Sequence, residues 1–292
     1  MTGFVNWNVD PEILNLGCFS LRWYSLLFMA AFVLGYFIIK KIFRQEDVPI
    51  KLLDRLTWYM IFGTLIGARL GHCLFYEWSS YFKDHILEMF IPVTQTNGVW
   101  EFSGYAGLAS HGAGLGILAA LFIFSRVEHR PYLWILDRMT IVVALSGFFI
   151  RMGNLMNSEI FGHPTNLPWG FKFVNSHEWY LSPVYAQPCH PTQIYEALAY
   201  LGISAWLYRM YFRKNNDKPY HDGILLGTFL VSLFTMRFLI EFLKENQVVF
   251  EKGMALNMGQ LLSIPFIVCG VYLLVRKKIN IKINNNQQFE YE

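Results

Sequence analysis

This sequence carries little charge. Of its 292 residues only 15% are Asp, Glu, Lys or Arg, where a soluble domain usually carries about 25% because its surface must face water. That deficit, in so apolar a chain, excludes intrinsic disorder and a simple soluble enzyme. Cysteine is scarce too: Cys18, Cys73, Cys189 and Cys269 show neither CxxC spacing nor the density of a disulfide scaffold, so no metal knuckle is expected. Cys73 and Cys269 lie inside apolar runs and read as packing residues. The net charge is only +3. Its basic residues fall in short clusters between apolar runs rather than along one stripe, which gives nucleic-acid binding no support. No internal repeat with a period of roughly 20 to 50 residues is present. The opening segment holds Asp10 and Glu12 but no Lys or Arg before Arg22, and no apolar core ahead of a cleavage site, so no secretory signal is expected there.

Apolar and aromatic side chains are abundant: 54% of the residues are hydrophobic and 17% aromatic, with 26 Phe, 16 Tyr and 9 Trp. Mean hydropathy is +0.31. A helix needs about 20 residues to cross a hydrocarbon core about 30 Å thick. Seven runs have that length, near Leu21 to Ile39, Leu56 to Tyr76, Gly104 to Ser125, Met139 to Phe161, Thr192 to Phe212, Gly223 to Leu243 and Leu256 to Val275. They are continuous and lack the period-2 alternation of a lipid-facing strand, which favours helices over a barrel. The expected fold is therefore an all-α polytopic membrane protein with about seven transmembrane helices. It forms one transmembrane domain over residues 1–276, followed by a solvated tail over 277–292.

Orientation follows from the loops. With the amino terminus outside, sixteen Lys and Arg fall in cytoplasmic segments and only five, Arg22, Lys83, Lys172, Lys244 and Lys252, in external ones. The positive-inside rule then expects a periplasmic amino terminus and a cytoplasmic carboxyl terminus. Two external segments, about 77–103 and 157–191, are long, and the second is dense in Pro, Trp, Tyr, Phe and His. They are expected to form a small periplasmic cap.

Polar side chains inside the spans carry the functional signal, since a charge at a bilayer centre costs from about 2.5 to more than 10 kcal/mol. All seven runs place such groups in their outer halves. Tyr24 opens the first, Arg69 lies toward the end of the second and His111 early in the third. Arg151 and Asn154 share a face near the end of the fourth, His190, Gln193 and Glu196 open the fifth, Arg237 and Glu241 end the sixth, and Gln260 opens the seventh. Bland readings exist for several. Arg237 and Glu241 are spaced to pair with each other, and Arg69 could snorkel to the headgroups. His72, His129 and His163 read as structural. His111 differs, because Ser110-His111-Gly112-Ala113-Gly114-Leu115-Gly116 is a helix that neighbours can approach closely. Those glycines follow no strand and are no nucleotide loop. Pro191 suits a first helical position, and Gly153 admits another backbone beside Arg151.

Read as Arg-x-Gly-Asn-x-x-Asn-x-Glu-x-x-Gly, the stretch Arg151 to Gly162 closely resembles the signature of the bacterial prolipoprotein diacylglyceryl transferases. Further matches run in order: Arg22-Trp23-Tyr24, Gly67-Ala68-Arg69, Leu74-Phe75-Tyr76, Ser110-His111-Gly112, His190-Pro191-Thr192-Gln193-Ile194-Tyr195-Glu196, Arg237 with Glu241-Phe242, Met258-Gly259-Gln260 and Ser263-Ile264-Pro265. The resemblance covers nearly the whole chain. It implies an inner-membrane enzyme, active toward the outer leaflet, that moves the diacylglyceryl group of phosphatidylglycerol onto the thiol of the lipobox cysteine of an exported prolipoprotein. A thioether forms and glycerol 1-phosphate leaves. The family's essential histidine maps onto His111, its lipid-binding arginine onto Arg151, its second critical arginine onto Arg237 and its important tyrosine onto Tyr24. Asn154, Glu159 and Gly162 match signature positions, and Arg69, His190, Gln193 and Glu241 join the expected substrate-binding set. The chain departs from the family at Leu233 and His72, where tyrosines are expected, and at Ala113, where glycine is.

The chemistry of the residues agrees. Arg151 and Arg237 offer planar, permanently charged forks suited to a phosphodiester. The substrate supplies the nucleophile as thiolate, which a base such as His111 can generate, although the arginines could also favour the thiolate electrostatically. Asn154, Gln193 and Tyr24 would orient headgroup oxygens, with room for acyl chains beside the glycine-rich helices. The expected partners are phosphatidylglycerol, the lipobox peptide and membrane lipids. No metal or cofactor is called for. The alternative is a non-enzymatic lipid-binding protein or transporter with an outward-facing polar site, for which the usual internal repeat is missing. A metal-dependent phosphoryl transferase would need acidic ligands, and only Glu196 and Glu241 lie deep enough.

Overall fold

The computed structural model describes residues 3–15, 20–78, 86–90, 93–96, 99–102, 107–176, 187–213, 222–244 and 253–289. Much of the external segment expected over 77–103 and part of 157–191 lie outside the described residues, as does the end of the tail. Seven long helices carry the described chain: α1 Trp23–Gln45, α2 Ile50–Phe75, α3 Ser110–Val127, α4 Tyr132–Met156, α5 Thr192–Phe212, α6 Ile224–Glu241 and α7 Met258–Phe289. Each expected run overlaps one helix, although α3 begins at Ser110 rather than Gly104 and α4 covers Tyr132–Met156 rather than Met139 to Phe161. Pro191 stands one place earlier than expected, capping α5 rather than opening it, and α7 continues beyond the end of its apolar run.

Among the described residues five helices are long and apolar enough to cross a membrane: α1, α3, α4, α6 and the Met258–Arg276 part of α7. The chain is accordingly a multi-pass membrane protein. At 1.5 Å per residue α2 and α5 would span roughly 39 and 32 Å, so length does not separate them from the rest. Their polar residues do: Lys51, Asp54, Arg55 and Arg69 on α2, and Gln193, Glu196 and Arg209 on α5. Large apolar side chains such as Phe37, Trp58, Leu198 and Val268 are exposed, as hydrocarbon-facing positions should be. Cys73 is buried, but Cys269 is exposed. The expectation that Cys269 packs inside therefore fails. In a helix flanked by lipid an apolar run no longer marks the inward face.

The chain divides into two compact units, Lys40–Ile135 and the combination of Met1–Ile39 with Leu136–Glu292. Within the first, α2 and α3 run antiparallel at backbone contact. A methyl group built on Gly71 would lie 2.6 Å from Gly112 Cα, and one on Gly67 would lie 2.7 Å from Gly116 Cα. Gly63, Gly67 and Gly71 thus form a one-per-turn ridge that meets Gly112, Gly116 and Ala120. Between membrane helices, where no hydrophobic driving force acts, such small-residue seams supply the packing. Ala109 N–H donates to Ala68 C=O at 3.0 Å, fixing the start of α3.

In the second unit α6 and α7 pair through Gly227 and Gly270, with Phe234 stacked on Phe266 at 4.3 Å between centroids. The buried Asp137 of α4 accepts from the Gly223 and Leu226 amides at 2.6 and 2.7 Å. It therefore caps α6 from a neighbouring helix.

Short strands make the fold mostly helical rather than all-α. Within the second unit β1 (Val5–Trp7) lies parallel to β6 (Phe171–Phe173), and β2 (Glu12–Asn15) pairs antiparallel with β3 (Ser20–Arg22). In the first unit β4 (Val93–Thr96) pairs antiparallel with β5 (Val99–Phe102). Elements of three or four residues are too short to show a period in sequence. Around β1 and β6, Leu155, Phe161, Phe173 and Cys189 form a small core against Trp7. Trp7 Nε1 also donates to Leu155 C=O at 2.9 Å.

Candidate active site

The carboxyl end of α4 builds the site from the signature outward. Arg151 Nη1 donates to Asn154 Oδ1 at 3.2 Å, one turn on, and Asn154 Nδ2 donates to Glu159 Oε1 at 2.8 Å. Asn157 Nδ2 reaches the same oxygen at 3.2 Å. The loop after α4 is tightly wound, with Ser158 and Ile160 at φ 55° and 58°, a region costly for a β-branched residue. Hydrogen bonds from elsewhere hold it there. Gln193 Nε2 donates to Glu159 C=O at 2.7 Å, Thr192 Oγ1 to Ile160 C=O at 3.1 Å, and Gly162 N–H to His190 C=O at 2.9 Å. Gly162 is a packing position: an added methyl would lie 2.8 Å from Thr192 Cγ2 and 2.9 Å from His190 Cβ.

Arg151 also starts a buried chain of alternating charge. Its Nε lies 2.8 Å from Glu196 Oε2, on α5. Lys244 Nζ, just past α6, lies 3.0 Å from the same Glu196 oxygen and 3.2 Å from Glu241 Oε2. The Glu196 side chain is fully buried and that of Lys244 is 1% exposed. Tyr200 OH donates to Glu196 Oε1 at 3.2 Å. Glu241 lies against the bare backbone of Gly259, where a side chain would overlap its carboxylate. The helix geometry permits an Arg237–Glu241 pair, but the partner Glu241 takes is Lys244. Arg237 acts electrostatically on Glu196, Tyr200 and Lys244, and among the described residues it forms no ion pair. Tyr24 joins from α1, its ring pressed on Gly153 and within electrostatic reach of Glu159 and Arg151.

Of the residues singled out in the sequence, Tyr24, Arg151, Asn154, Glu159, Gly162, His190, Gln193, Arg237 and Glu241 thus converge in one unit. Gln193 is fully buried, and its Oε1 has no hydrogen-bond partner among the described residues. His190 Nδ1 lies 3.3 Å from Tyr195 OH. Burial, reinforced by neighbouring His163, holds the His190 imidazole below its ordinary pKa and so favours the neutral ring.

The other unit holds His111 and Arg69. His111, in the first turn of α3, is exposed and lines a cleft of about 430 Å³ with Gly71, Phe75, Tyr76, Ala109, Gly112 and Leu115. The α2–α3 glycine seam forms its floor. Arg69 Nη2 donates to Glu88 C=O at 2.7 Å and its Nε to Met89 C=O at 3.3 Å. Its guanidinium thereby ties down the turn at Ile86–Met89. Of the departures from the family pattern, His72 stacks on Tyr76, lies 3.4 Å from Glu77 Oε1 and abuts Gly107, whose φ of 78° suits glycine.

Sequence reasoning missed Lys244 and Tyr200. By position Lys244 reads as an external-loop cation, although its place three residues after Glu241 on a continuing turn is the available signal. Tyr200, one turn after Glu196, was hidden among 16 tyrosines. Chemically, three cations, three carboxylates and two tyrosine hydroxyls in a largely buried setting can hold an anionic headgroup and stabilise charge developing on a leaving phosphate. Among the described residues no group of three or more His, Cys, Asp or Glu side chains is placed to hold a metal.

Comparison with known proteins bears on what that anion is. Residues 11–276 match the family model described as prolipoprotein diacylglyceryl transferase. A Bacteroides fragilis protein named phosphatidylglycerol–prolipoprotein diacylglyceryl transferase is 43% identical over 271 residues, covering 92% of this chain and 94% of its own. The Porphyromonas gingivalis protein of the same name is 41% identical over 283 residues, with 94% and 95% covered. That of Tolumonas auensis is 40% identical over 270 residues, with 92% and 96% covered. With a signature that folds into a buried cationic site and a match over nearly its full length, the chain belongs to the prolipoprotein diacylglyceryl transferase family.

Proposed function

We propose that this transferase moves the diacylglyceryl group of phosphatidylglycerol onto the thiol of the lipobox cysteine of an exported prolipoprotein. The observation that carries the reading is the buried Arg151–Glu196–Lys244–Glu241 chain beside Arg237, in a chain of this family. The thiolate attacks the glyceryl carbon that bears the phosphate. A C–S bond forms, the C–O bond breaks, and its electron pair leaves on glycerol 1-phosphate. Arg151 and Arg237 hold the phosphate and stabilise its second negative charge as that bond breaks. Asn154 and Glu159 set the Arg151 rotamer, while Gln193 and Tyr24 serve headgroup hydroxyls. His111 is assigned the thiol proton on chemical grounds, as an exposed imidazole in an apolar cleft.

Purified protein given phosphatidylglycerol and a lipobox peptide should add one diacylglyceryl mass to the peptide's cysteine. Lipid binding with an unmodified peptide would instead favour a non-enzymatic lipid-binding protein.

The reading extends to all seven helices as membrane spans, forming one catalytic domain over residues 1–276. The segments around 77–103 and 157–191 form a periplasmic cap, and residues 277–292 a cytoplasmic tail in the bacterial inner membrane. The sixteen-to-five distribution of basic residues supports this orientation. In intact spheroplasts an impermeant thiol reagent should label single cysteines placed within 163–169 and spare those placed after Arg276. The reverse pattern would invert the topology.

A further inference from the structure

We propose that Trp7 is a positioning residue for the headgroup site: its indole, carried on β1, holds the loop after α4 in the conformation that aims Glu159 and, through Asn154, Arg151. The inference rests on the reading of Arg151 as the phosphate ligand. β1 lies ahead of residue 11, where the family match begins, so this support comes from outside the matched stretch.

Trp7 Nε1 donates to Leu155 C=O at 2.9 Å, in the last turn of α4, where carbonyls lack intrahelical partners. Ser158 N–H meets the same oxygen at 3.0 Å. The end of the helix, the loop and the amino-terminal strand therefore converge on one acceptor, one turn beyond Arg151. The indole also packs on the core of Leu155, Phe161, Phe173 and Cys189, and Leu155 and Phe161 bracket the loop. Between them Ser158 and Ile160 stand at φ 55° and 58°, a backbone that isoleucine resists and that must be held from outside. Thr192 and Gln193 hold it from α5; Trp7 holds it from the end of α4. What the winding achieves is the aim of Glu159, whose Oε1 accepts from Asn154 and Asn157 at 2.8 and 3.2 Å, while Asn154 accepts from Arg151 at 3.2 Å.

Trp7 is itself fixed. Val5 N–H donates to Gly170 C=O at 2.9 Å, Val174 N–H to Trp7 C=O at 3.0 Å, and Asn175 Nδ2 to Val9 C=O at 3.0 Å. The strand thus ties the loop to β6, and the indole acts on the substrate only through the signature residues.

The test is a double-mutant cycle on full-length protein in nanodiscs. Trp7→Phe keeps a ring and deletes the N–H. It should lower kcat/KM for phosphatidylglycerol about fivefold, through a higher KM for that lipid and with KM for the lipobox peptide unchanged, whereas loss of folded protein would lower kcat alone. Ile160→Asn places at the strained position a residue that adopts the left-handed backbone more readily. In that background Trp7→Phe should cost less than about twofold. Amide hydrogen exchange over residues 157–162 should quicken in Trp7→Phe and fall back in the double variant. An unchanged KM for phosphatidylglycerol in Trp7→Phe, or an equal loss in both backgrounds, would overturn the proposal. So would exchange that quickened evenly over the whole protein. Should Ile160→Asn not accumulate, the KM values and the exchange of Trp7→Phe decide alone. Wild-type protein that transferred nothing would remove the functional reading instead, and the exchange pattern would still decide whether Trp7 holds the loop.

Discussion

Arg151→Lys should lower kcat/KM for phosphatidylglycerol by about 10² to 10⁴, although the charge is kept. The guanidinium already serves two partners, Nε to Glu196 at 2.8 Å and Nη1 to Asn154 at 3.2 Å, and in the proposed reading its remaining edge meets the phosphate. A lysine ammonium reaches one of these well and lacks the planar fork. Weakening one buried ion pair and one charged hydrogen bond, at about 1.5 to 3 kcal/mol each, produces an effect of that size. Arg237→Lys should lose less. Among the described residues its guanidinium has no second ion-pair partner to forfeit, and the loss falls on the phosphate alone. Steady-state kinetics at matched protein levels check both, and near-normal turnover in the two variants would reject phosphate binding by either arginine.

His111→Gln should lower turnover by about 10² to 10⁴ if the imidazole takes the thiol proton. Glutamine keeps much of the polar reach but has no usable proton affinity. Were His111 only an orienting group, glutamine would retain much of the rate and His111→Ala would not. The pH profile separates the two further. A required neutral imidazole makes activity fall on the acid side, and that limb should vanish in the variant. An acid limb that persists in His111→Gln would assign the proton elsewhere.

How far the sequence could be read depended on the range of the interaction. Each long apolar run became a helix because periodicity and composition are local, and near-neighbour pairs such as Arg151 with Asn154 follow from helix spacing alone. The same spacing permits Arg237 to meet Glu241, and there the local argument stopped. Glu241 turns instead to Lys244, a choice made by the fully buried Glu196 arriving from α5. Arg69 likewise reads from sequence either as a snorkelling cation or as part of the substrate-binding set, and two of its bonds go to carbonyls some twenty residues along the chain.

The sequence by itself determined that the chain is a helical membrane protein of this family, which residues are costly enough to matter, and which end of each helix they occupy. Only the tertiary structure decided how the charges pair, that Lys244 belongs among them, and that Gly162 packs against Thr192 and His190. It also decided that residues 5–7 pair with 171–173. The physical reason is common to all of these. A buried charge takes its partner by distance and desolvation in three dimensions, and a glycine's neighbour or a three-residue strand's partner can lie anywhere in the chain, so neither leaves a period or spacing from which it could be read.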